Sequence, residues 1–337
     1  MVEKQLIEFS TVAMQRPDFK KTDDMFNRVL GKDHIAVVCC FENKETGTRV
    51  IVANAHIHWD PNFRDVKLVQ VALLVDEIEK TAAYFCKLPP RPPNNLEDKS
   101  APQPRSPPVY ADGTKIPLVI CGDFNSVPAS GVCEFLSNGS VPPDHPDFMS
   151  HLYGRYTTEG LRHKFNLKSA YAAAGDHPLT NFTPSFQGGI DYIWYGTGNL
   201  AVNAVLGGVD KSYLDKAVGF PNAHFPSESV LIHLNLKGFP SLTFLFQPCL
   251  PGERVPGETP SRQRTTTITP IPITQRCTLT IRGSPMGIAA FFFRLFYLPA
   301  TYSSPLSPFS SFILVSFFVI NIFFDQYNVG FCALEGG

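Results

Sequence analysis

The sequence lacks an excess of either charge. Its 337 residues contain 29 Lys and Arg and 30 Asp and Glu, which leaves a formal net charge of −1. A chain with this balance has no general electrostatic attraction to nucleic acid, so any such affinity must come from a local site. Arg16, Lys20 and Lys21 are the candidates for local phosphate contacts, and a solvated basic helix face is the alternative interpretation.

The sequence also lacks metal-binding cysteine spacings and long apolar runs. None of the eight cysteines forms a CxxC pair, so no zinc site is predicted. The cysteines within or beside predicted elements are expected to be buried thiols of a reducing compartment: Cys39, Cys40, Cys86, Cys121 and Cys133. The N-terminal residues MVEKQLIEF show no secretory signal. The apolar run 312–324 is shorter than the roughly 20 residues that cross a bilayer, so no membrane association is expected.

Predicted helices and strands alternate along the first part of the chain. The predicted elements are helices at 7–14, 23–30, 61–86 and 131–137 and strands at 33–41, 48–54, 116–120, 190–195 and 230–236. The first two strands are joined by a turn that closes on Gly47, which predicts a hairpin. A proline-rich segment at 88–108 favours neither helix nor strand and is interpreted as a surface insertion, either a peptide-docking segment or a linker.

The stretch ICGDFNSV holds a first group of chemically active side chains. The apolar run Ile116–Ile120 predicts a buried strand, which Gly122 ends. Asp123 and Asn125 follow two positions apart, so their side chains face the same side of an extended segment. A carboxylate and a carboxamide so placed could hold a divalent cation and an oxygen of a phosphodiester. An Asx-rich turn is the alternative interpretation.

The stretch VANAHIHWDP ends another predicted strand in two histidines. Period-2 geometry puts Asn54, His56 and His58 on one face. The two imidazoles could bind a transition metal, contact a phosphate oxygen, or serve hydrogen-bonded packing at a strand end. Asp60 and Pro61 then start a helix as its N-cap and first residue, with apolar positions along one face. The polar residues thus lie at the carboxyl end of a strand, where α/β proteins usually form their sites.

Two further stretches place polar groups at strand ends. In LTNFTPSFQGGIDYIWY, Asp191 lies within the apolar strand 190–195, and a buried carboxylate needs a histidine, a lysine or a metal as partner. Phe186, in the preceding turn, either packs within the loop or offers a stacking platform for a base. The stretch GFPNAHFPSES places the polar residues 227–229 at the mouth of the strand 230–236.

In this order, these stretches resemble the exonuclease–endonuclease–phosphatase superfamily. Within it, the similarity is closest to the fungal carbon-catabolite-repression mRNA deadenylases, the catalytic subunits of Not-containing deadenylase complexes. The residues that carry it are VAMQRPDFKKTDDMFNRV (12–29), VANAHIHWDPNFRDVKLVQ (52–70), CGDFNSVPASGVCEFLSNGSV (121–141), LTNFTPSFQGGIDYIWY (179–195) and GFPNAHFPSES (219–229). The resemblance spans roughly residues 1–237.

The resemblance implies a fold, an activity and partners. The fold is α/β, a two-layer β-sandwich flanked by helices, with the site between the sheets at one end. The activity is that of a magnesium-dependent 3′→5′ exoribonuclease that removes poly(A) and releases AMP. The implied partners are poly(A) RNA and the subunits of the Not deadenylase complex, in the cytoplasm and nucleus. The alternatives are a phosphatase of a small nucleotide or inositol ligand, and a non-catalytic RNA-binding or scaffold-interacting remnant.

The resemblance also implies roles for four polar residues. His56 matches the family's phosphate-contacting histidine. Asp123 and Asn125 match the pair that positions the attacking water, the metal and the scissile phosphate, with Asp123 as a metal ligand and Asn125 also touching substrate. Asp191 matches the carboxylate that orients a general-base histidine.

Two further positions match the family's adenine site, and one segment departs from its pattern. Pro61 and Phe186 match the residues that sandwich the adenine ring. The family pattern Ser-Asp-His is here Ser227-Glu228-Ser229. Glu228 keeps a carboxylate and is a further candidate metal ligand. Ser229 replaces the general-base histidine, and a serine cannot accept a proton near neutral pH.

Both ends of the chain also depart from the family. The family's catalytic domain begins with strands that include a metal-binding glutamate, and none of Glu3, Glu8 and Glu42 stands in that context. The fold is therefore expected to be incomplete at its N-terminus and the chain to be weakly active or inactive. The segment 238–337 is poor in charge and partly of low complexity. A tail anchor and a folded extension are two interpretations, and the change in composition favours a third, read-through or frame-shifted sequence.

Overall fold

A computed structural model defines the fold. It describes residues 1–17, 23–44, 46–91, 106–172, 179–205, 208–220 and 222, and the backbone of strands at 232–237, 242–248 and 318–324. Lys20, Lys21, Glu228 and Ser229 lie outside the described residues, as do most of the proline-rich segment and most of the tail. The expectations for these residues stay predictions.

Strands and helices alternate along the described chain. The strands are β1 (Glu3–Glu8), β2 (Ile35–Glu42), β3 (Arg49–His56), β4 (Leu118–Asp123), β5 (Ser140–Val141), β6 (Leu161–Arg162), β7 (Leu167–Ser169), β8 (Asn181–Phe182), β9 (Gln187–Gly188), β10 (Asp191–Gly196), β11 (Ala201–Val205), β12 (Ile232–Lys237), β13 (Leu242–Pro248) and β14 (Phe318–Phe324). The helices are α1 (Phe9–Gln15), α2 (Arg64–Phe85), α3 (Gly131–Asn138), α4 (Arg155–Thr158) and α5 (Lys211–Leu214), with a π-helical segment at Met25–Leu30 and 3₁₀ turns at Pro61–Phe63, Gly113–Lys115 and Pro146–Phe148. In the described part of the chain, no helix combines the length and the apolar character needed to cross a membrane.

One six-stranded sheet organises the described chain, in the order β1-β2-β3-β4-β10-β7. Its neighbouring strands run antiparallel except β3 and β4, which are parallel. A parallel pair needs a long crossover connection, and α2 lies within it. The carboxyl ends of β3 and β4 therefore meet at one edge of the sheet, and the first residue of β10 joins them there.

The six-stranded sheet carries an apolar core on each face. On one face, α2 and α3 contribute buried side chains such as Leu68 and Phe135. On the other face, Val119 of β4 belongs to a second cluster against which Val202 and Val205 of β11 pack. Strand β11 is the first of a second sheet in the order β11-β12-β13-β14. Helices thus cover one face of the central sheet and strand β11 packs on the other.

The first predicted helix, 7–14, begins too early. Residues Glu3–Glu8 form an edge strand, paired antiparallel with β2, and the helix starts at Phe9. Ile7 pairs with Ala36 and is fully buried. The pairing partner lies in a distant part of the chain, so local periodicity does not reveal it.

The helix predicted after Pro61 exists, but it buries far more than one face. Asp65 and Gln70 are fully buried along with the apolar residues of α2. The reason is that α2 packs against the sheet and is also contacted by α1, α3 and the turn at Pro146–Phe148. Buried polar groups need partners. Arg28 accordingly donates from Nη2 to Oδ1 of Asp65 at 2.8 Å.

Arg16 is a structural cation rather than a free phosphate contact. Its guanidinium pairs with the carboxylate of Asp76. The same guanidinium lies over the ring of Tyr156, 5.2 Å from the ring centroid. Because both contacts are made within the fold, the expectation that Arg16 contacts phosphate is not supported.

The cysteines expected to be buried are free thiols in the described chain. Cys39, Cys40, Cys121 and Cys133 are buried, and Cys86 is half-buried. Burial raises the pKa of Cys39 to about 11 and that of Cys121 to about 12. These thiols stay protonated near neutral pH, so they act as small apolar side chains of the core.

Candidate active site

Three polar side chains form a row across three neighbouring strands. In the parallel pair, the Cα of His56 lies opposite that of Asp123, and in the antiparallel pair Asp191 lies opposite the same Asp123. Neighbouring strands are about 4.8 Å apart, so the row brings all three residues to one edge of the sheet. Asn125 joins them two residues after Asp123. The structure thus brings together the four polar residues that the sequence singled out.

The row depends on a close approach of two strands at Gly122. This residue has φ +148°, and a Cβ on it would lie 1.9 Å from the main-chain oxygen of Ala55. No side chain fits between the strands at this point, so glycine is required there. The glycine that ends the predicted strand therefore allows β3 and β4 to stay paired up to His56 and Asp123.

Asn125 sits in a backbone turn that its own polar atoms stabilise. Its φ is +47°, a conformation that asparagine adopts more readily than most residues. Its backbone N–H donates to Oδ1 of Asp123 at 2.7 Å, and its side-chain Nδ2 donates to the carbonyl of Ile57 at 2.8 Å. The Asx-turn interpretation and the site interpretation are therefore compatible, because the turn fixes the orientation of both side chains.

Asp123 is the candidate ligand for a divalent cation. Its Oδ1 accepts the hydrogen bond from Asn125, and its Oδ2 lies 3.7 Å from Nε2 of His56. Within the described ranges, no group of three or more His, Cys, Asp and Glu side chains is placed to hold a metal ion. A hard cation such as Mg²⁺ commonly takes one or two carboxylates and completes its shell with water and substrate oxygens. Asp123 and Asn125 fit such a site as part of a donor set.

His56 is a neutral imidazole near neutral pH. Burial, with a smaller contribution from nearby His34, lowers the pKa of His56 to about 4. The 3.7 Å contact with Asp123 is therefore a contact between a neutral ring and a carboxylate, not an ion pair at pH 7. The His56 side chain keeps 29% of its surface exposed. A neutral N–H donor at this position can bind an anionic oxygen.

Asp191 is a fully buried carboxylate at the start of β10. The hydroxyl oxygen of Thr180 accepts from the backbone N–H groups of Ile190 and Asp191, at 2.9 and 3.1 Å. These bonds fix the backbone on which the carboxylate stands. The position of its expected histidine partner, occupied by Ser229, is not among the described residues.

Pro61 and Phe186 lie in loops next to the row along the chain. Pro61 is exposed in the turn that follows His56, where Asp60 caps the backbone N–H of Asn62 at 2.8 Å. Phe186 lies in the turn between β8 and β9 and is 39% exposed. Thr180, which precedes β8, ties this hairpin to Asp191. Both residues thus present exposed apolar surface in loops that connect to strands of the row.

His58 differs from the expectation that it shares a strand face with His56. Strand β3 ends at His56, and His58 lies beyond it with a buried ring. The ring of His34 contacts both, with centroids 6.3 Å from His56 and 5.0 Å from His58. Burial lowers the pKa of His58 to about 4, and its ring nitrogens find no hydrogen-bond partner within the described part of the chain. His58 thus packs against aromatic rings, without the ring hydrogen bonds that the packing interpretation assumed.

The sequence reasoning missed one polar residue that touches the site. Lys67 lies in α2 and is buried, with 6% of its surface exposed. Its ammonium donates to the main-chain carbonyl of Asn125 at 2.6 Å. The lysine within the mostly apolar run VKLVQVALLV was the feature that could have revealed it. The helical periodicity of this run predicts an apolar face and says nothing about the role of the lysine.

The fold and the polar row define the class of the protein. No protein-family model matches the chain. Over 232 residues, however, it is 56% identical to the CCR4-Not complex 3′-5′-exoribonuclease subunit Ccr4 of Mycosarcoma maydis, a match that covers 69% of this chain and 34% of that protein. The resemblance to the fungal Ccr4 proteins that the sequence indicated is confirmed over this part of the chain. The α/β fold class expected from the sequence is confirmed with it.

Other curated relatives carry the same name. The Ccr4 subunit of Schizosaccharomyces pombe is 50% identical over 239 residues, covering 70% of this chain and 34% of that protein. The Ccr4 subunit of Aspergillus fumigatus is 45% identical over 255 residues, covering 71% of this chain and 36% of that protein. The chain thus spans about a third of the length of the curated relatives it matches.

Solved structures show more distant similarity. The 2′,3′-cyclic phosphatase ANGEL2, in complex with adenosine-2′,3′-vanadate, has a TM-score of 0.48 and 23% identity, covering 68% of this chain and 65% of that one. The human Nocturnin catalytic domain with bound sulfate has a TM-score of 0.41 and 17% identity, covering 70% of this chain and 58% of that one.

Proposed function

We propose that residues 1–237 belong to the catalytic region of a poly(A)-specific 3′→5′ exoribonuclease that shortens mRNA tails. The observation that supports this most is the row of His56, Asp123 and Asp191, with Asn125 beside it. It lies within the segment that is 56% identical to a relative named as a 3′-5′-exoribonuclease subunit. The activity is metal-assisted hydrolysis of a phosphodiester bond.

Each residue of the row has a separate role in hydrolysis. A bound Mg²⁺, held through Asp123 and a further candidate Glu228, would neutralise charge on the scissile phosphate. His56 donates its N–H to a phosphate oxygen, for which its neutral state is suited. Asn125 holds the position of both the phosphate and Asp123 through its turn. Asp191 would orient the general-base histidine of the family; in this chain Ser229 stands at that position, so the group that accepts the proton of the attacking water is missing.

Pro61 and Phe186 recognise the adenine base. Single-stranded RNA is commonly bound by stacking of its unpaired bases on aromatic and apolar surfaces. The exposed ring of Phe186 and the exposed Pro61 provide such surfaces. This arrangement supports a single-stranded poly(A) substrate at the 3′ end, with AMP as the product.

The test is incubation of the purified chain with Mg²⁺ and 5′-labelled oligo(A), with oligo(C) as control. We expect slow stepwise shortening of oligo(A), release of AMP, and loss of both in the Asp123→Ala variant. Slow turnover is expected because loss of a general base costs about 10²- to 10⁴-fold in rate. Release of inorganic phosphate from small nucleotides without shortening would favour a phosphatase instead. Tight oligo(A) binding without any turnover would favour a non-catalytic RNA-binding remnant.

The proposal extends to partners and location. The relatives are subunits of the CCR4-Not complex by name. We expect this chain to act with subunits of a Not deadenylase complex in the cytoplasm and nucleus. Co-purification with those subunits and imaging of a tagged chain test the two expectations separately.

A further inference from the structure

Lys67 is a buried cation among the apolar residues of α2. It is 6% exposed and follows Val66, which is fully buried. Burying an ammonium costs several kcal/mol unless it is paired or hydrogen-bonded. A leucine or methionine would fill this position at lower cost, so packing alone does not account for a lysine.

The hydrogen bond of Lys67 goes to the turn of the candidate site. Its Nζ donates to the main-chain oxygen of Asn125 at 2.6 Å. Asn125 itself donates two further bonds in that turn, to Oδ1 of Asp123 and to the carbonyl of Ile57. Lys67 therefore adds a tie between α2 and a turn that has positive φ at Asn125.

The carboxylates around Lys67 are bound to other groups. Burial lowers the pKa of Lys67, and the nearby Asp123, Asp60 and Asp147 partly offset this. Asp60 caps Asn62, while Asp147 accepts from the backbone N–H of Gly131 at 2.7 Å. Within the described residues Lys67 forms no direct salt bridge. The charge of Lys67 therefore lies next to the Asn125 turn and is not neutralised by a contacting carboxylate.

We propose that Lys67 is a positioning residue of this site, which holds the Asp123–Asn125 turn and places a fixed positive charge beside the bound phosphate. The inference rests on the proposed function. In a site with little water, such a charge stabilises the anionic phosphate more than it would in bulk solvent. A cation at this place disfavours a second cation, so removing it would not weaken Mg²⁺ binding through charge.

The variants separate the hydrogen bond from the charge. Lys67→Arg keeps both, Lys67→Gln keeps a neutral donor, and Lys67→Met keeps only the apolar stem. Lys80→Met is the matched control, because Lys80 lies on the same helix with its side chain 64% exposed and paired with Glu77. Thermal unfolding of each variant shows whether it folds, and oligo(A) binding by anisotropy provides a readout besides turnover.

We expect Lys67→Met to lower kcat for oligo(A) about 30-fold or more and Lys67→Gln to lower it about 10-fold. The kcat of Lys67→Arg should stay within about threefold of that of the parent chain. The control Lys80→Met should have the same kcat as the parent chain. The Mg²⁺ concentration for half-maximal rate should not rise in Lys67→Gln, and oligo(A) binding should weaken. The inference is overturned if Lys67→Met keeps its kcat within twofold, or if Lys67→Arg loses as much as Lys67→Met. If the parent chain shows no oligo(A) shortening that depends on Asp123, the proposed function fails. In that case, oligo(A) binding that is unchanged in the Lys67 variants refutes the role of Lys67 as well.

Discussion

Replacing Gly122 with alanine would put a methyl group 1.9 Å from the main-chain oxygen of Ala55. A Cβ essentially never lies closer than 3.0 Å to such an atom, so β3 and β4 would have to separate by about 1 Å. The φ of +148° adds backbone strain of about 1–3 kcal/mol for any side chain. Overpacking of a well-packed interior adds about 1–3 kcal/mol more. The variant should therefore lose about 2–6 kcal/mol of its free energy of unfolding.

Urea denaturation monitored by tryptophan fluorescence measures this loss. Gly198→Ala is the matched control, because a Cβ there meets no atom within 4 Å, and its free energy of unfolding should change by less than about 0.5 kcal/mol. The separation of the strands would also move His56 away from Asp123, so any oligo(A) shortening should fall more than it does in a variant of equal stability. A Gly122→Ala chain as stable as the Gly198→Ala chain would refute the close approach on which the row depends.

Three further predictions concern pH, the general base and the stacking platform. The pKa of His58 is about 4 in the folded chain and near 6.5 when unfolded, so the unfolded state binds more protons between these values. His58 should account for up to about 3 kcal/mol of the stability lost as the pH drops from 6.5 to 4, and His58→Leu should remove that share and leave the share of His56, whose pKa is also about 4, in denaturation measured at several pH values. Ser229→His should raise the rate of oligo(A) shortening about 10²-fold or more, whereas an unchanged rate would show that position 229 is not where the base belongs. Phe186→Ala should weaken oligo(A) binding by about 1–3 kcal/mol in anisotropy titrations while Phe186→Trp retains it, and equal binding by all three chains would remove Phe186 from the substrate site.

The position of the polar row could be predicted from the sequence because each member stands at a strand end. Period-2 alternation and a helix start after Asp60 locate the end of β3, and Gly122 locates the end of β4. Asp191 lies at the first residue of an apolar strand. These signals are local, and a family resemblance connects them. The geometry that joins them follows from the order of strands in the sheet.

Features that depend on distant partners could not be predicted in this way. The edge strand Glu3–Glu8 was not predicted, and its last two residues were assigned to the helix 7–14, since the pairing with β2 that forms the strand is a tertiary contact. The role of Lys67 was not predicted, because its acceptor Asn125 is brought beside it by the crossover between β3 and β4. In both cases the missing information is the tertiary contact that overrides local preference.

One parallel strand pair explains why the residues of the candidate site meet at one edge of the sheet. Among the neighbours of the six-stranded sheet, only β3 and β4 run parallel, so their last residues, His56 and Asp123, meet at one edge. Strand β10 runs antiparallel to β4, so it must contribute its first residue, Asp191, to the same edge. The crossover that a parallel pair requires is also what brings α2 next to the Asn125 turn, and with it Lys67. Had β3 and β4 been joined as an antiparallel hairpin, the imidazole and the carboxylate would lie at opposite ends of the sheet, and no lysine from a connecting helix would reach the turn.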